Sequence, residues 1–330
     1  MNLYIDTNIF LTFYHLTKDD LDELKKLAIL IEDEQIILFL PEQTRNEFVR
    51  NRDKKIAEAL NSLKDQKISS RFPTISKGYP EFNNLYQAYK EFEKFKNKII
   101  SQIKEGAKNF DLNADILTQR IFQSANKFEI TTDLVDKAKT RFNLGNPPGK
   151  GNSYGDAINW ESLLENVPYK EDIHLISEDG DFTSLLDKNE LNLFLKDEWE
   201  LKKKSQLFYY KSLSDFLKDK FPDIELSDQL EKELAIKKLA NAGSFSSAKS
   251  RLRKLNKYSD FSSQQLNSIM EIATTNSQLY WINSDLGVGD ILLNILEGNE
   301  HKIERDLLQD FYTIYAPEKL NRQEEEDLPF

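Results

Sequence analysis

The chain has 330 residues, 39% hydrophobic and 31% charged, with a formal net charge of −11 at pH 7 and no cysteine. That balance belongs to a folded chain with room for one large or two modest domains, and it excludes disulfides, thiolate metal sites and a broadly basic DNA-coating surface. The longest apolar runs, Leu27–Ile31 and Ile36–Leu40, are far too short to span a membrane, and no basic segment leads into an apolar one after Met1, so the expected location is the cytoplasm.

Leu3-Tyr4-Ile5 is short, apolar and β-prone. Leu21, Leu24, Leu27, Ala28 and Ile31 recur at helical spacing behind a Thr17/Asp19 start signal. Gln35–Leu40 is a β-rich run ended by Pro41, the pattern of a buried parallel strand, and the helix after it carries Phe48, Ile56 and Leu60 on its apolar side. Residues 65–142 read as mostly helical. There Phe82, Tyr86, Tyr89, Phe92, Ile99 and Ile103 line one helix face, expected to be core rather than a platform for bases. Gly145, Gly149, Gly151 and Gly155 around Pro147-Pro148 mark 143–155 as a loop.

Alternation resumes with a helix at Asp156–Glu165 and strands at Ile173–Ile176, Leu191–Leu195 and Leu207–Tyr210, the last running into a helix capped at Ser212/Ser214. Strands alternating with helices predict an α/β fold with a parallel central sheet flanked by helices. From about Ser227 the strand signal ends, and helices are predicted at Leu230–Ala240, Gln264–Ala273, Asp290–Leu296 and Ile303–Tyr315, before an acidic tail, Glu324–Asp327. The expected organisation is an α/β domain over 1–224 and an all-helical C-terminal domain over 225–330, with Tyr280-Trp281 in the core of the latter.

In an open parallel sheet, ligands bind outside the carboxyl ends of the strands, near the switch point of strand order. Asp6 follows Leu3–Ile5 directly, and Asp179 follows Ile173–Ile176 after Ser177-Glu178. Glu47, in the first turns of the helix after Pro41, and Asp156, opening the helix after the glycine loop, can fold over the same edge. Carboxylates facing one another repel unless a hard cation lies between them, so such a set implies Mg²⁺ or Mn²⁺ and the activation of a water against a phosphodiester. Each acid also has a plainer reading. Asp6 with Asn8, or Asp156 alone, would cap a helix; Glu47 would pair with Arg45, Arg50 or Arg52; Asp179 and Asp181 would serve a turn at Gly180.

Four segments taken in order resemble the PIN domain family: Tyr4-Ile5-Asp6-Thr7-Asn8-Ile9, Pro41-Glu42-Gln43-Thr44-Arg45-Asn46-Glu47-Phe48, Gly155-Asp156-Ala157 and Ile176-Ser177-Glu178-Asp179-Gly180-Asp181-Phe182. The family has an acid after its first strand, a helix Glu, a Gly-Asp opening a helix, and a Thr/Ser-x-Asp-x-Asp-Phe stretch after a later strand. The resemblance covers about residues 1–222. It implies a PIN-like fold and single-strand endonuclease activity, usually on RNA, with a divalent metal. It implies that Asp6, Glu47, Asp156 and Asp179 are catalytic and bind the metal, that Asp181 is an auxiliary ligand, and that Thr7, Asn8 and Ser177 support the site by hydrogen bonds. Relative to compact members, residues from about 65 to 142 are a helical insertion, which bears on the class of substrate. The expectation is a Mg²⁺- or Mn²⁺-dependent endoribonuclease; toxin and antiviral-defence roles are common in the family. A structure-specific DNA nuclease and a catalytically silent PIN-like binding module are the alternatives.

The stretch from Gly145 to Gly151 imitates a phosphate-binding loop, but its spacing is one residue short, Gly151 stands where Ser or Thr is needed, and two prolines remove amides. Lys150 is the candidate for contact with the substrate backbone. His15, His174 and His301 lack zinc spacing. Residues 231–260 hold Lys232, Lys237, Lys238, Lys249, Arg251, Arg253, Lys254 and Lys257 against Glu231, Glu233 and Asp260: either a patch for RNA phosphates or a solvated helical face. The C-terminal helices are also where a protein partner is expected to dock.

Overall fold

A computed structural model of the chain describes residues 1–14, 21–68, 71–149, 154–224, 226–283, 285 and 287–317. They form two compact units, Met1–Asp223 and Ile224–Phe330. The first unit runs β1 (Asn2–Ile5), α1 (Thr7–Thr12), α2 (Leu21–Glu32), β2 (Ile37–Pro41), α3 (Glu42–Asp65), α4 (Phe82–Asn109), α5 (Asn113–Ser124) and β3 (Asn126–Phe128). It continues with α6 (Thr132–Asn143), α7 (Gly155–Asn166), β4 (Ile173–Ile176), α8 (Leu193–Lys203), β5 (Leu207–Tyr210) and α9 (Leu213–Lys220).

The five strands form one parallel sheet in the order β3-β2-β1-β4-β5. The chain builds outward from β1 to β2 and β3, then crosses to the other side of β1 for β4 and β5. The switch point of strand order therefore lies between the carboxyl ends of β1 and β4. Leu3 sits opposite both Leu38 and His174, so the strand pleats are in phase. Tyr4, Phe39, Ile173 and Leu175 pack with Trp160 of α7 and Trp199 of α8. Their buried neighbours Leu3, Ile5, Leu38, Leu40 and Ile176 belong by the pleat to the opposite face. There His174 stacks on Phe208 at 4.9 Å and meets Phe216 of α9 at 5.6 Å. Burial on both faces is why these strands read as continuous apolar runs instead of alternating ones.

Three expectations for this unit are corrected. No strand covers 191–195: Leu191 makes a single antiparallel bridge to Thr183, and Asn192 then accepts the amide of Phe194 at 2.9 Å to start α8. Leu195 and Trp199, four residues apart, bury on one helix face, so helical packing overrides the alternating pattern. β3 interrupts the stretch read as helical. Its Asn126 and Lys127 are exposed, and it exists by pairing with Phe39–Pro41 at the sheet edge, with Phe128 stacked on Phe39 at 5.6 Å. The aromatic face of α4 is not core: Tyr86 and Ile99 are exposed, while Phe82, Tyr89, Phe92 and Ile103 are half-buried. The buried positions of α4 are Lys96, Ile100 and Gly106, with Ile100 joining Ile56 and Leu60 of α3. Thr17 and Asp19 lie outside the described residues.

The second unit holds α10 (Ser227–Ala240), α11 (Phe245–Leu255), α12 (Ser263–Thr275), α13 (Ser277–Tyr280), α14 (Val288–Leu296) and α15 (Arg305–Tyr315) around its own core, with no strand among the described residues. α11 is a helix beyond those expected, and Ser244 caps it by accepting the amide of Ser247 at 3.2 Å. Tyr280 and Trp281 are 47% and 72% exposed, contrary to expectation; the flanking Leu279 and Ile282 fill the core instead. Among the described residues no helix is long and apolar enough to cross a membrane.

Candidate active site

Asp6 ends β1 with its amide donating to the carbonyl of Ile176 at 2.9 Å, which draws the ends of β1 and β4 together. It stands at the cap position of α1, yet its side chain makes no cap hydrogen bond. That side chain turns to β4 instead: the Ser177 hydroxyl donates to Asp6 Oδ2 at 2.8 Å. The same Ser177 Oγ accepts the amide of Asp179 at 3.0 Å, so one buried hydroxyl sets both acids. Asp179 Oδ1 accepts the amide of Asp181 at 2.8 Å, and Asp181 Oδ2 accepts the amide of Gly149 at 3.2 Å. Asp179 thus makes the turn at Gly180 and also stands at the switch point. Lys150, the next residue along that loop, lies outside the described residues.

Glu47 reaches the same edge from the second turn of α3. Gln43 Nε2 donates to its Oε1 at 2.6 Å, and Thr7 Oγ1 lies 3.2 Å from both its Oε2 and the carbonyl of Thr44, sharing one proton between two acceptors. Its plainer pairing with Arg52 is not made, because Arg52 is committed to Asp115 and Asp53. Glu42, the other acid near the start of α3, accepts the amide of Ile130 at 2.9 Å. Asp156 is the second residue of α7, whose cap position is Tyr154. Gly155 before it has no room for a side chain: a Cβ there would lie 2.1 Å from Glu47 Oε1 and 2.9 Å from Gln43 Nε2. The missing side chain is what lets Glu47 rest against the start of α7. Asn8 is exposed on α1 and, among the described residues, hydrogen-bonds none of these acids.

The four carboxylates form one electrostatic cluster. Burial, reinforced by the charges of Asp179 and Glu47, pushes Asp6 up from 3.8 to about 6 despite the Ser177 hydrogen bond. Burial again leads for Asp156, which Asp6, Asp179, Glu47 and Asp181 help push up to about 7. A helix N-terminus favours a carboxylate by only about 0.3–1 kcal/mol, so at Asp156 desolvation and like charge win. Burial and the charges of Asp6, Asp156 and Glu47 raise Tyr4 well above its ordinary value.

Five residues without an assigned role, Gln43 among them, support the acids. Beneath the acids, Tyr4 donates to Thr44 Oγ1 at 3.4 Å and Thr44 donates to Asn159 Oδ1 at 3.0 Å, tying β1, α3 and α7 together in a buried line. Tyr209 donates to the Ser177 carbonyl at 2.6 Å, steadying the end of β4; burial first, then Glu178, Asp179 and Asp6, raise it to about 12. Gln43 lies four residues before Glu47, so helical spacing could have revealed it, whereas Thr44 and Asn159 are brought together only by the fold.

These residues suit a hard divalent cation in oxygen chemistry and in charge, since Asp6 and Asp156 sit where a positive charge is wanted. Among the described residues no three acids stand close enough to hold an ion between them. The fit is therefore one of donors and charge, not of preformed coordination.

An acid cluster at the switch point of a parallel α/β sheet, held by strand ends and two helix starts, places the chain among α/β domains whose ligand edge is acidic. A profile of the PIN domain family matches residues 3–182, more than half of the chain, and the chain belongs to that family. The family is of nuclease type, and its members generally depend on divalent metal. No curated protein and no solved structure matches the chain.

Proposed function

We propose that this chain is an endoribonuclease that hydrolyses phosphodiester bonds of RNA with Mg²⁺ or Mn²⁺, and that Asp6, Glu47, Asp156 and Asp179 hold the cation. The observation that carries the reading is the convergence of these acids at the switch point, with Asp6 and Asp156 driven up to about 6 and about 7. Acids with such raised proton affinity gain most from a cation in place of protons. A bound divalent ion supplies positive charge against the phosphate and lowers the pKa of water. The chain's own residues do the positioning. Ser177 fixes Asp6 and Asp179 together, Thr7 and Gln43 fix Glu47, and Asp181 anchors the amide of Gly149 beside the loop that carries Lys150. In this reading Lys150 contacts the substrate backbone.

The proposed setting is the cytoplasm and a toxin or antiviral-defence role, with a protein partner on the second unit; these rest on the family and on composition. The test is cleavage of single-stranded RNA by purified protein beside DNA of the same sequence. RNA cleavage that requires Mg²⁺ or Mn²⁺ and stops in EDTA is expected. Cleavage undiminished in EDTA excludes the cation role, and preferential cutting of branched DNA moves the substrate to DNA. Sequencing the cellular RNA ends produced by wild type and Asp6→Asn then locates the natural cut.

A further inference from the structure

We infer that α11 carries a docking face for the phosphodiester backbone of single-stranded RNA, formed by Ser250, Arg253, Lys254 and Lys257. The inference takes from the ribonuclease reading only the kind of polyanion; its charge argument is independent of the acid site. Residues 234–259 contain Lys237, Lys238, Lys249, Arg251, Arg253, Lys254 and Lys257 and not one acid, in a chain whose net charge is −11. Such a local concentration of one sign steers a polyanion even on an acidic protein.

The fold divides these bases into two kinds. Lys249 pairs with Asp285 at 2.5 Å, and Arg251 donates to the carbonyl of Lys238, joining α11 to α10. Arg253, Lys254 and Lys257, by contrast, are exposed and form no ion pair among the described residues. With Ser250 they follow the spacing i, i+3, i+4, i+7, so they share one side of the helix. Lys257 sits just past the last turn, its amide donating to the carbonyl of Lys254 at 3.2 Å. Together with Tyr258 they line an open depression of about 410 Å³. The other side of the helix, Ala248, Leu252 and Leu255, is buried in the core of the unit, so these cations stand on an anchored helix.

Three cations held side by side repel one another and keep counterions; a strand of phosphates relieves both. A lipid surface would need an apolar wedge on the same side, but Ala248, Leu252 and Leu255 lie in the core and the exposed Phe245 falls by helical spacing on the side of Lys249, away from Ser250, Arg253, Lys254 and Lys257. A protein partner would need an apolar centre to its interface, whereas Ser250, Arg253, Lys254 and Lys257 offer only polar and charged groups. Tyr258, the one ring lining the depression, is half-buried against the core and offers a base no open face. Contact is therefore to backbone and blind to sequence.

The test is binding of a labelled single-stranded oligoribonucleotide to the full chain, read by fluorescence anisotropy in EDTA at several salt concentrations. For single strands each lost phosphate contact flattens the slope of log K against log salt by about 0.7, so Arg253→Ala/Lys254→Ala/Lys257→Ala should flatten it by about 2. The loss should be equal for two unrelated sequences, while Lys249→Ala should leave the slope near that of wild type. An unchanged melting temperature for the triple variant shows that the exposed side chains were removed without unfolding. A triple variant with the wild-type slope, a loss confined to one sequence, or equally tight binding of polyglutamate or anionic vesicles each overturns the docking face. EDTA withholds the cation that cleavage is expected to need, so binding is read apart from cutting. Protein that binds with this slope yet never cuts with Mg²⁺ overturns only the nuclease reading, and protein that cuts while its binding ignores the triple change overturns only the docking face.

Discussion

Arg52 and Asp6 are both charged, both nearly inaccessible and both in the first unit, but their surroundings are opposite. Arg52 donates to both oxygens of Asp115 at 2.6 Å, to Asp53 at 2.8 Å and to the carbonyl of Ala107 at 3.0 Å, with its guanidinium 4.0 Å from the ring centre of Phe110. Arg141 is treated in the same way, holding Glu161 at 2.6 Å, Glu198 at 2.5 Å and the carbonyl of Pro147 at 2.5 Å. At Asp6 and Asp156 the charges that act most strongly are those of other acids. Fixed opposite charge offsets desolvation in the first arrangement, whereas among the described residues like charge leads in the second. Uncompensated charge of this kind collects where a protein handles a ligand, which separates the carboxyl edge of the sheet from the ion pairs that stiffen the helices around it.

The largest effect that would sharpen this contrast is on the compensated side. Arg52→Met leaves Asp115 buried with hydrogen bonds from Tyr14 and the Leu112 amide but with no opposite charge, and should cost about 3–5 kcal/mol in urea unfolding, most of it recovered by Arg52→Met/Asp115→Leu. A loss below about 1 kcal/mol would show that the pair matters as little as a surface ion pair and would erase the contrast. On the uncompensated side the effect should fall on rate. Asp6→Asn and Asp179→Asn should each slow RNA cleavage by at least roughly a hundredfold, with Asp181→Asn costing less. Variants that cut like wild type at saturating Mg²⁺ would remove the acids from the chemistry.

Gly155→Ala is a smaller intrusion on the same edge. The atoms a new methyl meets are the ends of the Glu47 and Gln43 side chains, not backbone. Glu47 should give way: melting should change little while cleavage drops by roughly tenfold, the expected consequence of a displaced positioning group. A large fall in melting temperature with full activity in the folded fraction would make Gly155 a packing residue only.

The pH dependence of metal-free protein carries the smallest signal. Asp6 and Asp156 have folded values of about 6 and about 7, above the ordinary 3.8, so the folded state binds protons more tightly than the unfolded one. The stability this confers is fully present below about 3.8 and is lost as pH rises through 6 to 7. In EDTA the melting temperature should therefore fall between pH 5 and pH 8 by a few degrees, and Mg²⁺ should remove most of that slope. A melting temperature that rises across this window would reverse the assignment.

Much of this architecture was legible because both sheet faces are buried: β1, β2, β4 and β5 appear as apolar runs, and a strand end followed by an acid announces the edge where Asp6 and Asp179 stand. Elements decided by tertiary contact were not legible. β3 is made by its neighbour β2, the run at 191–195 is captured by the Asn192 cap and the burial of Trp199, and α4 keeps aromatic residues outside because most of its length finds little to pack against. Tyr280 and Trp281 fail for a similar reason, since composition cannot say which of four adjacent apolar residues faces the core. At the edge itself the acids announce themselves by type, whereas Thr44 and Asn159 act through a hydrogen bond between residues 115 positions apart, which local pattern does not contain.

The most direct measurement is the thermal melt of wild type and Asp156→Asn at pH 8, each in EDTA and with Mg²⁺. The variant keeps the shape of the side chain and removes one charge from the cluster, so without metal it should melt above wild type. If Mg²⁺ binds with a Kd on the order of 1 mM, about 10 mM stabilises wild type by roughly 1.4 kcal/mol, a shift of a few degrees. The variant, with one ligand fewer, should gain less, and the order of the two should reverse. A variant that melts lower than wild type in EDTA, with the same gain from Mg²⁺ as wild type, would contradict the account by showing that the charge of Asp156 is already compensated and takes no part in holding a cation.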